Sequence, residues 1–225
     1  MIKRYQWYRL DLNGVSIKQF ADKLKDCPYK DEKGDGFLLE QIRPGSLRAK
    51  YVNKKVYEEI VLAPDGSEII YERLAYDTTE FMVSKAIPGI MFINPSRSIS
   101  HVITKISKLT EYSVAISDIE ISVNSWLNIL NREFKGINVN SLICSDIEID
   151  KNVTAKIQMK GDRDVRKYLK GYLGGKKSTL DKAIFILEGD TSRKIEIRRK
   201  ATAVFDDGYE RENLKVLNNS FIELM

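Results

Sequence analysis

From Phe37 to Ile93 the chain is dominated by strand-forming sequence, punctuated by strong turn residues. Pro44-Gly45 closes a strand over Phe37–Arg43, and Pro64-Asp65-Gly66-Ser67 separates Val56–Leu62 from Glu68–Tyr76. Alternation puts Tyr71, Arg73, Ala75 and Asp77 on one face of the last strand and Ile70, Glu72, Leu74 and Tyr76 on the other. Neither face is purely apolar, so this sheet is expected to be covered on both sides or to contact something.

Helices flank that block. Arg4–Leu12 reads as a strand, Asn13-Gly14 as a turn, and Ser16 as the cap of a helix burying Ile17, Phe20, Ala21 and Leu24. Pro28 stops that helix, and residues 29–36 form a polar loop. Ile87-Pro88-Gly89 marks a break, and Ile90–Ile93 is a short buried strand. Ile99, Val102, Ile103, Ile106 and Leu109 then recur at helical spacing within Ser98–Leu109. Beyond lie a strand (Tyr112–Ile121), a helix (Ser122–Phe134), two strands (Leu142–Ile149, Val153–Met159) and a helix capped by Asp162. An antiparallel pair (Ala183–Leu187, Lys194–Phe205) and a helix over Glu210–Leu217 close the chain. The expected fold is α+β, with mixed or mainly antiparallel sheets, several packed helices and two lobes. Residues 1–87 would form a β-rich lobe and 88–225 an α+β lobe with a basic helix and hairpin. The pentapeptide Ser117–Ile121 recurs as Ser145–Ile149, as two similar amphipathic strands would.

With 43% hydrophobic and 31% charged residues in 225, the chain can bury a real core. No apolar run approaches the roughly 20 residues of a membrane helix, so no membrane partner is expected. Residues Met1–Trp7 lack the apolar stretch of a secretory signal. Cys27 and Cys144 stand apart without a CxxC or Cys/His cluster. The expectation is two free thiols, a reducing cytoplasm, and neither metal nor cofactor.

Charge is unevenly placed. The net charge is +5, yet residues 160–200 hold 13 Lys or Arg against 6 Asp or Glu. Within Asp162–Gly175, Val165, Tyr168, Leu169, Tyr172 and Leu173 form an apolar helical stripe. Arg163, Arg166, Lys167 and Lys170 form an opposite, cationic one. Gly174-Gly175-Lys176-Lys177-Ser178-Thr179 follows, with groups suited to phosphate oxygens. It is not a P-loop, because Gly175-Lys176 precedes Lys177 rather than Ser or Thr, and position 170 is Lys rather than Gly. In Arg193–Phe205, Lys194, Arg198 and Lys200 share the open face with Glu196. Arg199 falls on the apolar side, as at a bulge or a charge-blunted edge. The expected nucleic-acid surface is therefore Arg163, Arg166, Lys167, Lys170, Lys176, Lys177, Lys194, Arg198 and Lys200. The bland alternative is a solvated charged face.

Signs of catalysis are few. Asp118 with Glu120, and Asp146 with Glu148 and Asp150, line strand faces as magnesium ligands of nucleases do. No Lys completes an ExK triplet there, and Glu196-Ile197-Arg198 has Arg in that place. His101 is the single histidine, so any Ser-His-Asp or Cys-His engine would have to run through it. Tyr5, Trp7 and Tyr8, near Arg4 and Arg9, could stack bases.

The layout runs from strand Arg9–Leu12 and helix Ser16–Leu24 through a β-rich region to Ile90–Ile93, the Asn94-Pro95-Ser96-Arg97 turn, a long helix and a basic hairpin. In this order it resembles phage-exclusion and phage-defence proteins of the RexA and KwaB type. That resemblance implies DNA binding in a defence or mobile-element setting and assigns no residue a role. The leading expectation is a non-catalytic nucleic-acid-binding protein favouring duplex DNA through its backbone, as an accessory or sensor subunit. The alternatives are a protein-interaction subunit with a protein partner, and a magnesium-dependent nuclease.

Overall fold

The computed structural model describes residues 1–87, 89–96 and 98–224, and the side chains of all of these but Thr191 and Ser192. In chain order the elements are β1 (Ile2–Asp11), α1 (Ile17–Lys25), β2 (Asp35–Arg43), β3 (Ser46–Leu62), β4 (Glu68–Ser84), β5 (Ile90–Ile93), α2 (Ser100–Leu109), β6 (Ala115–Asp118), α3 (Val123–Glu133), β7 (Ile137–Asp150), β8 (Val153–Lys160), α4 (Arg166–Leu173), β9 (Thr179–Leu187), β10 (Asp190–Arg198), β11 (Thr202–Asp206) and α5 (Glu210–Leu224). The chain is thus α+β, with mainly antiparallel strands. No helix among the described residues is long and apolar enough to cross a membrane.

There are two compact units, interleaved along the sequence. One contains Met1–Arg9, Ala86–Met91 and Ser117–Met225; the other contains Leu10–Lys85 and Phe92–Ile116. Pro88, at the expected lobe boundary, and Arg97 of the Asn94–Arg97 turn lie outside the described residues.

In the first unit the strands run β1-β11-β10-β9-β7-β8, each antiparallel to its neighbours. Alternation turns Tyr5, Trp7, Ala203, Phe205, Ile195, Ile197, Ala183 and Phe185 to one face, where all are fully or almost fully buried. Trp7 meets Trp126 of α3 edge-on at 6.1 Å and stacks on Phe221 of α5 at 5.7 Å. Both indole N–H groups are satisfied: Trp7 donates to Asn218 Oδ1 (2.9 Å) and Trp126 to Ser220 Oγ (2.8 Å). The base-stacking expectation for Tyr5, Trp7 and Tyr8 is corrected here, because all three are core residues. Two further elements differ from expectation. The helix expected to stop at Leu217 continues to Leu224, because Asn218 and Ser220, weak helix formers, are held by the two indoles. The strand expected over Lys194–Phe205 is two strands, β10 and β11, joined by a tight turn in which Ala201 takes a left-handed φ of 43°.

In the second unit β2, β3 and β4 form an antiparallel meander. Helix α1 starts at a full capping box between Ser16 and Gln19 and buries Phe20, Ala21 and Leu24. Phe37, Tyr51, Phe81 and Phe92 make the aromatic core. Asp35 ties it off, accepting from the Tyr51 hydroxyl (2.8 Å) and pairing with Lys105 of α2 (2.8 Å). Beyond Asn53, β3 leaves β2 behind and continues with β4 as a hairpin arm paired in unbroken register to Leu62↔Glu68. From Val56 to Leu74 every residue is exposed except Ala63. The covering expected on this segment is absent among the described residues.

Two outcomes test this packing. Ser220→Ala leaves the Trp126 indole unsatisfied and should cost about 1–3 kcal/mol in chemical denaturation followed by circular dichroism. Partial burial pushes the Asp35 carboxyl up, but Lys105 and Tyr51 outweigh it and hold the group below the usual carboxylate range. A depressed native pKa gives stability that is present above the unfolded value of about 4 and is lost as pH falls through the native one. Asp35→Asn should therefore lower the unfolding midpoint at pH 7, and the gap to the parent should close on acidification below about pH 4.

Candidate nucleic-acid interface

The segment between β8 and β9 is built onto β7. Gly161 N–H donates to Asn140 O (3.0 Å) and Val165 N–H to Val139 O (2.8 Å). The helix begins at Arg166, four residues later than Asp162, because the carboxylate that meets its first turn is Asp164. Asp164 accepts from the Arg166 backbone (2.9 Å) and from its guanidinium (2.6 Å), which also donates to Ile137 O (3.3 Å). Partial burial pushes the Asp164 carboxyl up, and Arg166 outweighs it, leaving the group below its ordinary range. At the other end Gly174 is left-handed (φ 55°), the conformation glycine adopts without strain, and Lys176 N–H closes on Leu173 O (2.9 Å).

The expected apolar stripe is only partly used. Val165 is buried and Leu169 and Leu173 are half-buried, but Tyr168 is 53% and Tyr172 66% exposed. An eight-residue helix covers too little of the sheet to bury both tyrosines. The Lys167 ammonium sits over the Tyr168 ring at 5.0 Å.

Beside α4 lies a cavity of about 710 Å³, walled by the first turn of α3, by β7 and by the start of β9. Leu127, Leu142, Leu169 and Leu173 line its apolar part; Arg166, Lys170, Arg199, Ser178 and Thr179 line its polar part, with one carboxylate, Glu120. The Arg199 guanidinium is 3.8 Å from Asp181 and 39% exposed. Arg199 is not among the cations expected to form the surface. It lies in the turn just past the end of β10, which accounts for its break in the alternation, and it lines the cavity. Cys144 also lines the wall, 1% exposed, and burial pushes its thiol up.

The cationic residues divide into two groups. Lys167, Lys170, Lys176 and Lys177 are exposed on α4 and the loop after it, with Arg163 just before. Lys194 and Arg198 are exposed on β10, on the face opposite Ile195 and Ile197, and Lys200 is exposed in the following turn. The cavity, floored by Leu142, is on the buried, helix-bearing face. The structure therefore brings Arg166 and Lys170 together with Arg199, and sets Lys194 and Arg198 on the other side of the sheet. Arg198 and Lys182 both grip Glu196, at 2.6 Å each. Burial pushes that carboxyl up, and the two cations outweigh it and depress it.

The other candidates lie elsewhere. His101 is half-buried in the second unit, its ring 5.7 Å from Tyr51, and its Nε2 has no hydrogen-bond partner among the described residues. Among the described residues no group of three or more His, Cys, Asp or Glu is placed to hold a metal ion. No protein-family model matches the chain, and no curated protein matches it.

The thiols give a check on the cavity wall. In the native protein Cys27, half-exposed, should react with an aromatic disulfide reagent well before Cys144, and denaturation should make both react at once. Equal native rates would mean that the wall around Cys144 is open.

Proposed function

We propose that this protein binds nucleic acid without chemistry of its own, and that its interface is α4 with the loop to β9. One observation carries the reading: two exposed tyrosines at i and i+4, Tyr168 and Tyr172, are interleaved with exposed cations at 167, 170, 176 and 177. Cations beside aromatic faces are what an unpaired strand requires, since phosphates follow the charge and every base has a face to stack. This favours a single strand over the duplex suggested by charge alone. The adjoining cavity supports it, with an apolar floor suited to a base and with Lys170 and Arg199 on its polar lining to meet a phosphate. An accessory or sensor role in a phage-defence or mobile-element setting belongs to the same proposal and rests on layout alone.

Fluorescence anisotropy with single-stranded, duplex and RNA probes at two salt concentrations tests the reading. Affinity should fall with salt, with a log–log slope of about 0.7 per phosphate contact on a single strand. Tyr168→Ala and Tyr172→Ala should each cost about 1–3 kcal/mol on single strands and much less on duplex. Equal binding by the folded double variant and the parent would remove this surface from the proposal.

A further inference from the structure

Half of the large hydrophobic side chains exposed among the described residues lie in the hairpin arm, between Val56 and Tyr76. A two-stranded ribbon with both faces in water is marginal by itself, and apolar exposure of this density marks a contact surface. The two faces of the arm differ in their charges. On one, Glu59 is paired with Arg73 at 3.1 Å, and Lys55 is paired with Asp77. On the other, the apolar pairs Val56↔Leu74 and Ile60↔Ile70 bracket Glu58↔Glu72. These two carboxylates stand directly opposite each other, and neither has an ion pair among the described residues. Like charges directly opposite are destabilising, so this face calls for a partner with a cation between apolar groups. It also disfavours arm-to-arm stacking, which would gather four carboxylates.

The complementary surface is on the chain itself. Residues 58–72 hold five carboxylates and no Lys or Arg, whereas residues 163–177 hold six Lys or Arg and one carboxylate. Within the latter stretch Tyr168 and Tyr172 are the exposed apolar groups, flanked by Lys167 and Lys170. We infer that the Glu58/Glu72 face of the β3–β4 arm of one molecule docks against α4 of a second copy. The contact joins two different patches, and each molecule carries one of each. One arm face is about 30 Å long and about 10 Å wide from strand geometry, well below the roughly 800 Å² per partner of a standard interface. Association is therefore weak, concentration-dependent and dissolved by salt. It uses the surface proposed for the strand, so an oligonucleotide and the arm exclude each other.

Sedimentation velocity over a range of concentrations, at about 0.05 and 0.5 M salt, reads this out. The parent should associate at low salt and run as a monomer at high salt. The double variant Glu58→Lys/Glu72→Lys and the double variant Lys167→Glu/Lys170→Glu should each be monomeric alone and should associate when mixed, because the mixture restores opposite charges. Circular dichroism checks folding, and all four side chains are exposed. A parent monomeric throughout, association strengthened by salt, or a mixture that stays monomeric would each overturn the inference. Loss of oligonucleotide binding with the association intact would remove the strand-binding reading and leave this one standing; binding without association would do the reverse.

Discussion

The contact among Trp7, Trp126 and Phe221 fixes the unit that carries the candidate interface. It joins the first strand of the chain to α3 and to α5, more than two hundred residues later, on one face of one sheet. Burying two indoles is favourable only if their N–H groups find acceptors, and Asn218 and Ser220 supply them. Those acceptors extend α5 past the point where helix propensity would end it. With α3 and α5 seated over β1, β10 and β9, the space over β7 is left to α4, and the cavity is what the short helix fails to fill.

Much of this was legible. The strand-rich block, the Pro64–Ser67 turn, the Ser16 cap and the inward stripe Val123, Trp126, Leu127 and Leu130 follow from local pattern, and local pattern suffices where an element buries one clean face. What was not legible depends on partners distant in the chain. The repeated Ser-Asp-Ile-Glu-Ile shows the limit. At 145–149 it lies wholly within β7, kinked at Asp146 with a left-handed φ of 55°, while at 117–121 only its first two residues are strand and the rest lead into α3. Five identical residues take two conformations because one copy runs on as a strand paired with β8 and the other turns toward a helix.

The site divides in the same way. The cationic helix and its glycine end are sequence features; the helix is found, but it starts at Arg166, so Arg163 precedes it and Arg166 is drawn into the pair with Asp164. Burial of Tyr168 and Tyr172 does not follow from the helical wheel, because a wheel shows which side chains share a side and not whether anything covers that side. Period two likewise predicts that Lys194 and Arg198 share a face, as they do. It says nothing of the sheet lying between them and α4.

The arm has a further consequence. Its exposed outer half makes no contribution to the aromatic core of the second unit, which is built from Phe37, Tyr51, Phe81 and Phe92 nearer its base. Its opening is a local event, cheaper than unfolding the meander, and amide exchange there should run ahead of the rest of the chain. Substitutions between Val56 and Leu74 are correspondingly cheap for the fold. Recognition on the arm can drift, sharpen or switch over evolutionary time while the scaffold that presents it stays the same.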